Sequence, residues 1–376
     1  LTRKFDVLFL VADGIGNVLE ALYALEYCIH NSKNTGLVLS NIPASFVKFL
    51  RSSYGADVIL DTAEGVTASH LVHSWLFRDR ISVQFKSYFL VWPTSQNTAY
   101  LSETEQYLSI VRGLYPSDFN STKLTLLQED YSDRLKALAI EDKVVIYPGC
   151  SSHSPSKRWP YFGELVAHFG KENVVVVGGA DDLRHTYSFL YPDWITALIP
   201  RRLLRRPELY NALKRLGVLR AHAHLNRDEL GANCYFDIFT WAELTALMRR
   251  AKAFVGNDGG LTHLAGACGA SGAVIFGPTS VNKNRPYNPA LKPISQSFDC
   301  QPCQFIVNGK DSMSKNSILC PHQIRCLYSV PVDQVIQAVQ ASAIANTHRG
   351  GNCSASKAEP TPGISTQSNL ARAVQN

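Results

Sequence analysis

The chain has 376 residues, 45% hydrophobic and 18% charged, a composition that excludes an intrinsically disordered protein and leaves room for two cored domains. Its net charge of +6 favours an anionic partner but falls short of a nucleic-acid-binding surface. No apolar run reaches the roughly 18 residues that cross a bilayer, and nine cysteines, an odd number, point to a reducing, cytoplasmic compartment rather than a disulfide framework.

Arg3-Lys4 ahead of an apolar run imitates a secretory signal. The run ends in Asp13-Gly14-Ile15-Gly16 instead of a small-residue cleavage site, so a first β-strand is predicted over residues 6–12. Val18, Leu22, Leu25 and Ile29 share one face of a helix over 18–29. Strands at 36–40 and 57–60 bracket a helix over 44–51, an alternation that favours a parallel sheet. Residues 62–130 are less regular apart from a helix over 103–113.

The pattern restarts near residue 143. A strand over 144–147 leads through Pro148-Gly149 and a polar loop to a helix from about Pro160. Four consecutive valines fill a strand over 173–177, as suits burial on both faces, before Gly178-Gly179 and a helix opening near Asp181. An amphipathic helix over 239–250 delivers the chain to a strand at Lys252. The expected organisation is a first domain over 1–140 and a second over 141–330. A helix over 331–345 follows, then a disordered tail over 346–376, rich in Ser, Thr, Pro, Gly and Asn.

The segment from Phe254 to Ala265, with Phe276-Gly277-Pro278-Thr279 after it, is the most informative. It reads as strand, glycine turn, helix, strand and a second turn. A helix entered this way leaves its first amides pointing outward with the positive end of its dipole behind them, a setting that suits a diphosphate. An ordinary strand-to-helix turn fits the same residues. Asp258 reads as the N-cap, and Gly259 and Gly260 would let a ligand approach the backbone. Two similar α/β halves would form a cleft at the carboxyl ends of their strands, where the turns 13–17, 148–149 and 257–260 meet. The loop from Cys150 to Pro160 adds hydroxyls and two cations. Lys157 could neutralise a phosphate as a point charge, while Arg158 could fork onto one or project into solvent.

Three segments together resemble glycosyltransferase family 9, the bacterial lipopolysaccharide heptosyltransferases and their relatives. They are Gly14-Ile15-Gly16-Asn17-Val18-Leu19, Pro148-Gly149 through Lys157-Arg158-Trp159-Pro160, and Asn257 to Ala265 with Phe276-Gly277-Pro278-Thr279. The resemblance implies a GT-B fold, two Rossmann-like domains facing across a cleft. It also implies an inverting, metal-independent transfer of a sugar, heptose from ADP-heptose, to a lipopolysaccharide-type glycan, lipid-linked or protein acceptor. By the family's pattern Lys157 and the amides of Asp258, Gly259 and Gly260 face the diphosphate, with Thr262 and His263 close by. Ser151 and Ser152 add hydroxyls, and Asp181 or Asp182 reaches the ribose or base.

The first motif departs from the better-known members, which carry an aspartate as general base where this chain has Asn17. An amide cannot take a proton, so Asp13 is the nearest carboxylate to serve, with Asn17 orienting the acceptor; Asp13 as a helix cap or turn residue is an equal reading. If neither serves, the chain reads as a lapsed sugar-nucleotide binder. Cys300, Cys303, Cys320 and Cys326 have the look of a structural four-thiolate site for zinc or iron, and autotransporter heptosyltransferases carry an iron-binding cysteine set. Arg201-Arg202-Leu203-Leu204-Arg205-Arg206 fits an anionic membrane surface or a solvated helix face.

Overall fold

The computed structural model describes residues 5–12, 14–61, 82–85, 88–91, 101–127, 133–150, 155–179, 187–190, 220–223, 233–303 and 324–350, with isolated positions such as 182, 209 and 322. The predicted helix opening near Asp181, most of the arginine-rich segment and the tail beyond 350 lie outside these residues. The final helix runs on to Gly350, five residues past its predicted end.

In the first half, β1 (Val7–Ala12), β2 (Thr35–Ser40), β3 (Ile59–Asp61), β4 (Ser82–Phe85) and β5 (Tyr88–Val91) form one sheet in the order β3-β2-β1-β5-β4. All its pairings are parallel except that of β4 with β5. Helix α1 (Ile15–His30) follows β1, α2 (Ala44–Tyr54) follows β2, and α3 (Glu103–Leu114) follows β5. The sequence gives α1 one apolar face, yet every residue from Val18 to Cys28 is buried. The reason is tertiary: α1 packs on β1, on α3 and on a helix of the second half, so its polar residues Glu20 and Glu26 are buried too. Glu26 is satisfied there by the Tyr54 hydroxyl and the Thr125 amide.

The second half is a six-stranded parallel sheet in the order β10-β7-β6-β11-β12-β13. Its strands are β6 (Val144–Tyr147), β7 (Val174–Gly178), β10 (Cys234–Phe236), β11 (Ala253–Asn257), β12 (Gly272–Ile275) and β13 (Leu291–Ile294); β8 (Tyr187–Leu190) and β9 (Arg220–Ala223) pair separately. The helices are α4 (Phe162–Phe169), α5 (Trp241–Arg250), α6 (Gly260–Ala267) and α7 (Val332–Gly350). Helix α5 opens on a capping box in which Thr240 and Glu243 satisfy each other's amides.

Strand alternation sorts the second core into two layers. Val144, Ile146, Val174, Val176, Val255 and Ile275 face Trp159, Phe162, Val335 and Val339. Val145, Val175, Val177, Phe254, Val274 and Phe276 join a layer continuous with Phe9, Val18 and Leu22 of the first half. The four valines are thus buried on both faces, as a central parallel strand requires.

Candidate active site

The strand order reverses between β6 and β11. From β6 the chain steps outward to β7 and β10, then returns to β11 and steps the other way to β12 and β13. Loops leaving β6 and β11 therefore diverge and open a crevice at the carboxyl end of the sheet, the place where open α/β sheets bind ligands. Both sequence-predicted phosphate elements emerge there: the loop that ends at Lys157, and the glycine turn before α6.

They are tied together by one carboxylate. Lys157 Nζ lies 3.0 Å from Asp258 Oδ2. The Thr279 hydroxyl and the Asn284 amide donate to the same oxygen at 2.7 and 3.0 Å. Burial works to raise the Asp258 carboxyl, but the Lys157 ammonium, together with His263 and these two hydrogen bonds, holds it below its ordinary range. The second glycine-proline turn thus acts on the first through Thr279.

The turn itself differs from the sequence reading in two respects. Gly259 in extended backbone is the N-cap of α6, and Asp258 does not cap it. Asp258 also spends its amide on the Ile275 carbonyl, so that amide is not offered to a ligand. Thr262 and His263 donate their amides to the Gly259 carbonyl, and the Thr262 hydroxyl donates to the Asn257 carbonyl. Among the described residues, the amides of Gly259, Gly260 and Leu261 meet no acceptor. They are the outward-facing donors at the dipole's positive end.

The N-terminus of α1 faces this turn from the first half. A Cβ at Gly260 would lie 3.3 Å from Ile15, and one at Gly16 would lie 3.0 Å from the His263 ring. Both glycines are needed for that approach. Asn17 sits half-buried on the same first turn of α1. Burial pulls the His263 imidazole from its ordinary 6.5 down to about 4, against the pull of Asp258 and with the push of Lys157.

That depression carries a sign for stability. The unfolded chain takes up a proton near 6.5 that the folded chain refuses until about 4, so His263 costs stability as pH falls through that window. The expected loss is about 3 kcal/mol at most. Denaturant titrations of wild type and His263→Gln between pH 7 and 4 should diverge by that amount, with the variant less sensitive to acid. The comparison with the variant cancels Glu20, whose raised carboxyl acts with the opposite sign.

Asn257, fully buried at the end of β11, was part of the motif but not assigned a role by the sequence. Its amide donates to the Pro148 and Gly149 carbonyls, and its oxygen accepts from the Trp159 amide at 3.0 Å. It therefore sets the loop that carries Lys157 against the glycine turn.

Arg158 neither reaches a ligand nor projects into solvent. It is 1% exposed and paired with Asp182 Oδ1 at 3.0 Å. Asp182 in turn accepts the amides of Cys150 and Gly179, so it braces the ends of β6 and β7 and is not directed at a ribose or base. A side chain at Gly149 would collide with that carboxylate. Asp13, Ser151, Ser152 and Asp181 lie outside the described residues.

A cavity of about 500 Å³ adjoins the turn and was not foreseen. Gly178, Gly179, Tyr235, Phe239, Trp241 and Leu261 form one side, and Lys48, Phe49 and Ser52 of α2 the other. The aromatic residues between β10 and α5 were its only sequence signal.

The cysteine segment reaches the same region from outside. The Cys303 amide donates to the Pro278 carbonyl and the Gln301 amide to the Gly277 carbonyl. The Cys303 thiol, however, points at the Cys300 carbonyl, 3.1 Å away. Among the described residues no three metal-ligating side chains come together, Cys300, Cys303 and Cys326 included, and Cys320 lies outside them. No helix among the described residues is long and apolar enough to cross a membrane.

Residues 239–313 match the family model for glycosyltransferase family 9 (heptosyltransferase). No curated protein sequence matches the chain. Among solved structures, the E. coli ADP-heptose lipopolysaccharide heptosyltransferase II is 15% identical, with a TM-score of 0.53 over 91% of this chain and 99% of that one. A glycosyltransferase family 9 protein of Veillonella parvula is 14% identical, with a TM-score of 0.52 over 91% and 98%. The dodecameric iron-containing heptosyltransferase TibC, solved with ADP-D-β-D-heptose, is 16% identical, with a TM-score of 0.53 over 93% and 77%; its source is given as enterotoxigenic E. coli in a companion structure. These likenesses establish the α/β fold with parallel sheets in the two-part GT-B arrangement. The glycine turn lies inside the segment that the family model matches, residues 239–313, and the solved structures share the fold.

Proposed function

We propose that the chain transfers a sugar, heptose from ADP-heptose, to a lipopolysaccharide-type glycan or lipid-linked acceptor in the cytoplasm, inverting the anomeric centre without a catalytic metal. The observation that carries this reading is that Asp258 holds Lys157 at the turn where the amides of Gly259, Gly260 and Leu261 stay open, at the switch point of the second sheet. As the glycosidic bond breaks, negative charge grows on the departing diphosphate. An ammonium and a helix N-terminus fixed in place beforehand stabilise that charge without reorganising. Asp258 holds the ammonium there, and Thr279 and Asn284 hold Asp258. The nucleoside fits the neighbouring cavity, where Tyr235, Phe239 and Trp241 offer flat apolar surface to a base. Asn17, on the opposite helix, is the acceptor-side contact.

Thermal melting in a panel of nucleotides tests the donor, because a ligand of the folded form alone raises the melting temperature. ADP and ADP-heptose should stabilise the protein, by about 2.7 kcal/mol at a hundredfold excess over Kd. Stabilisation by uridine or guanosine diphosphate sugars alone would give the turn a different donor. No shift with any of them would remove the transferase reading.

A further inference from the structure

The cavity beside the turn carries a carboxylate that plays no part in clamping the diphosphate. Asp237 follows β10 and lines the cavity together with Tyr235, Phe239 and Trp241. Among the described residues its carboxylate has no hydrogen-bond or ion-pair partner. Arg134 reaches the same loop but spends its guanidinium on the Ile238 carbonyl at 2.9 Å, on Glu243 at 3.6 Å and over the Phe239 ring. Lys48 lines the cavity from α2 and forms no ion pair with Asp237.

The loop that carries this carboxylate is fixed at both ends. The Asp237 amide donates to the Gly178 carbonyl at 2.9 Å, and the capping box at Thr240 holds the chain three residues on. The Asp237 backbone is left-handed, with φ 55°. That conformation suits glycine or asparagine at least as well, so it does not account for the charge.

Position decides what the carboxylate can read. Strand β10 is three strands from β11, about 14 Å at the usual spacing between strands. A nucleoside diphosphate with its outer phosphate on the glycine turn at the end of β11 would pass its ribose before Asp237. It would reach Asp237 with the far edge of its base. An ionised carboxylate only accepts hydrogen bonds. It therefore favours a base with an amino group on that edge, as adenine has at its 6-position, and repels one with an oxo group there.

We propose that Asp237 is the base-specificity residue of the donor site, accepting a hydrogen bond from the 6-amino group of adenine while the ring lies on the aromatic wall. The inference rests on the transferase reading above.

The test compares ADP with inosine diphosphate, in which an oxo group and a ring N–H replace adenine's amino group and ring nitrogen acceptor. Calorimetry on the full chain should give wild type a preference for ADP of about 10–100-fold, the usual worth of a hydrogen bond to a charged group. Asp237→Asn, whose amide both donates and accepts, should nearly abolish the preference. Asp237→Gly removes the side chain and suits the left-handed backbone, so it should melt no lower than wild type and lose the preference as well. A loop that merely loosened would weaken both nucleotides together and leave their ratio as it was. An unchanged ratio in either variant, equal affinities for the two nucleotides in wild type, or a loss of preference on Lys48→Gln alone would overturn the assignment and leave the transferase reading standing. Wild-type protein that binds neither nucleotide would defeat both.

Discussion

Lys157→Ala is expected to lower the rate of sugar transfer by about 10²–10³-fold, the usual consequence of removing one pre-placed donor to a developing negative charge. Its ammonium lies 3.0 Å from Asp258, at the turn where the leaving diphosphate would dock. The substitution also strips a buried carboxylate of its cation. Lys157 is 17% exposed, so water softens the penalty to about 1–3 kcal/mol, below the figure for a fully enclosed pair. The two effects separate in a second variant. Lys157→Ala combined with Asp258→Asn should regain the lost melting temperature and remain inactive. If the double variant regains transfer as well, Lys157 serves the fold alone and the leaving-group role fails.

Arg158→Ala should cost more stability than any other single change at the site, about 3–5 kcal/mol, because it leaves the buried Asp182 carboxyl without its cation. With an unfolding entropy of roughly 2 cal/mol/K per residue, the melting temperature falls by about 4–6 °C. Asp182 also accepts the amides of Cys150 and Gly179, so the damage reaches the ends of β6 and β7. Arg158→Met with Asp182→Asn removes both charges and fills most of the volume, and calorimetry should show part of the loss restored. Equal melting temperatures for wild type and Arg158→Ala would mean that the pair contributes nothing net.

Lys157 and Arg158 show where the sequence is legible and where it stops. Both are cations in one polar loop after a strand, and by composition neither is distinguishable as ligand or brace. What separates them is a partner far along the chain: Asp258 keeps Lys157 at the crevice, while Asp182 draws Arg158 into the interior. The valines of β7 were readable because an unbroken β-branched run has one good home, a strand covered on both sides. The all-round burial of α1 was not, since half its covering comes from the other sheet's helix. For the same reason Glu20, a charged residue of α1, is buried where that helix packs on α3 and α6. The Asp258 N-cap failed because Lys157, Thr279 and Asn284 claim its carboxylate, and local propensity carries no information about them.

The apolar layer that runs without interruption from Phe9 and Val18 to Val145, Phe254 and Leu264 constrains how the molecule works. Swinging the two sheets widely apart would wet that whole interior seam. Calorimetry is therefore expected to show both halves melting in a single transition.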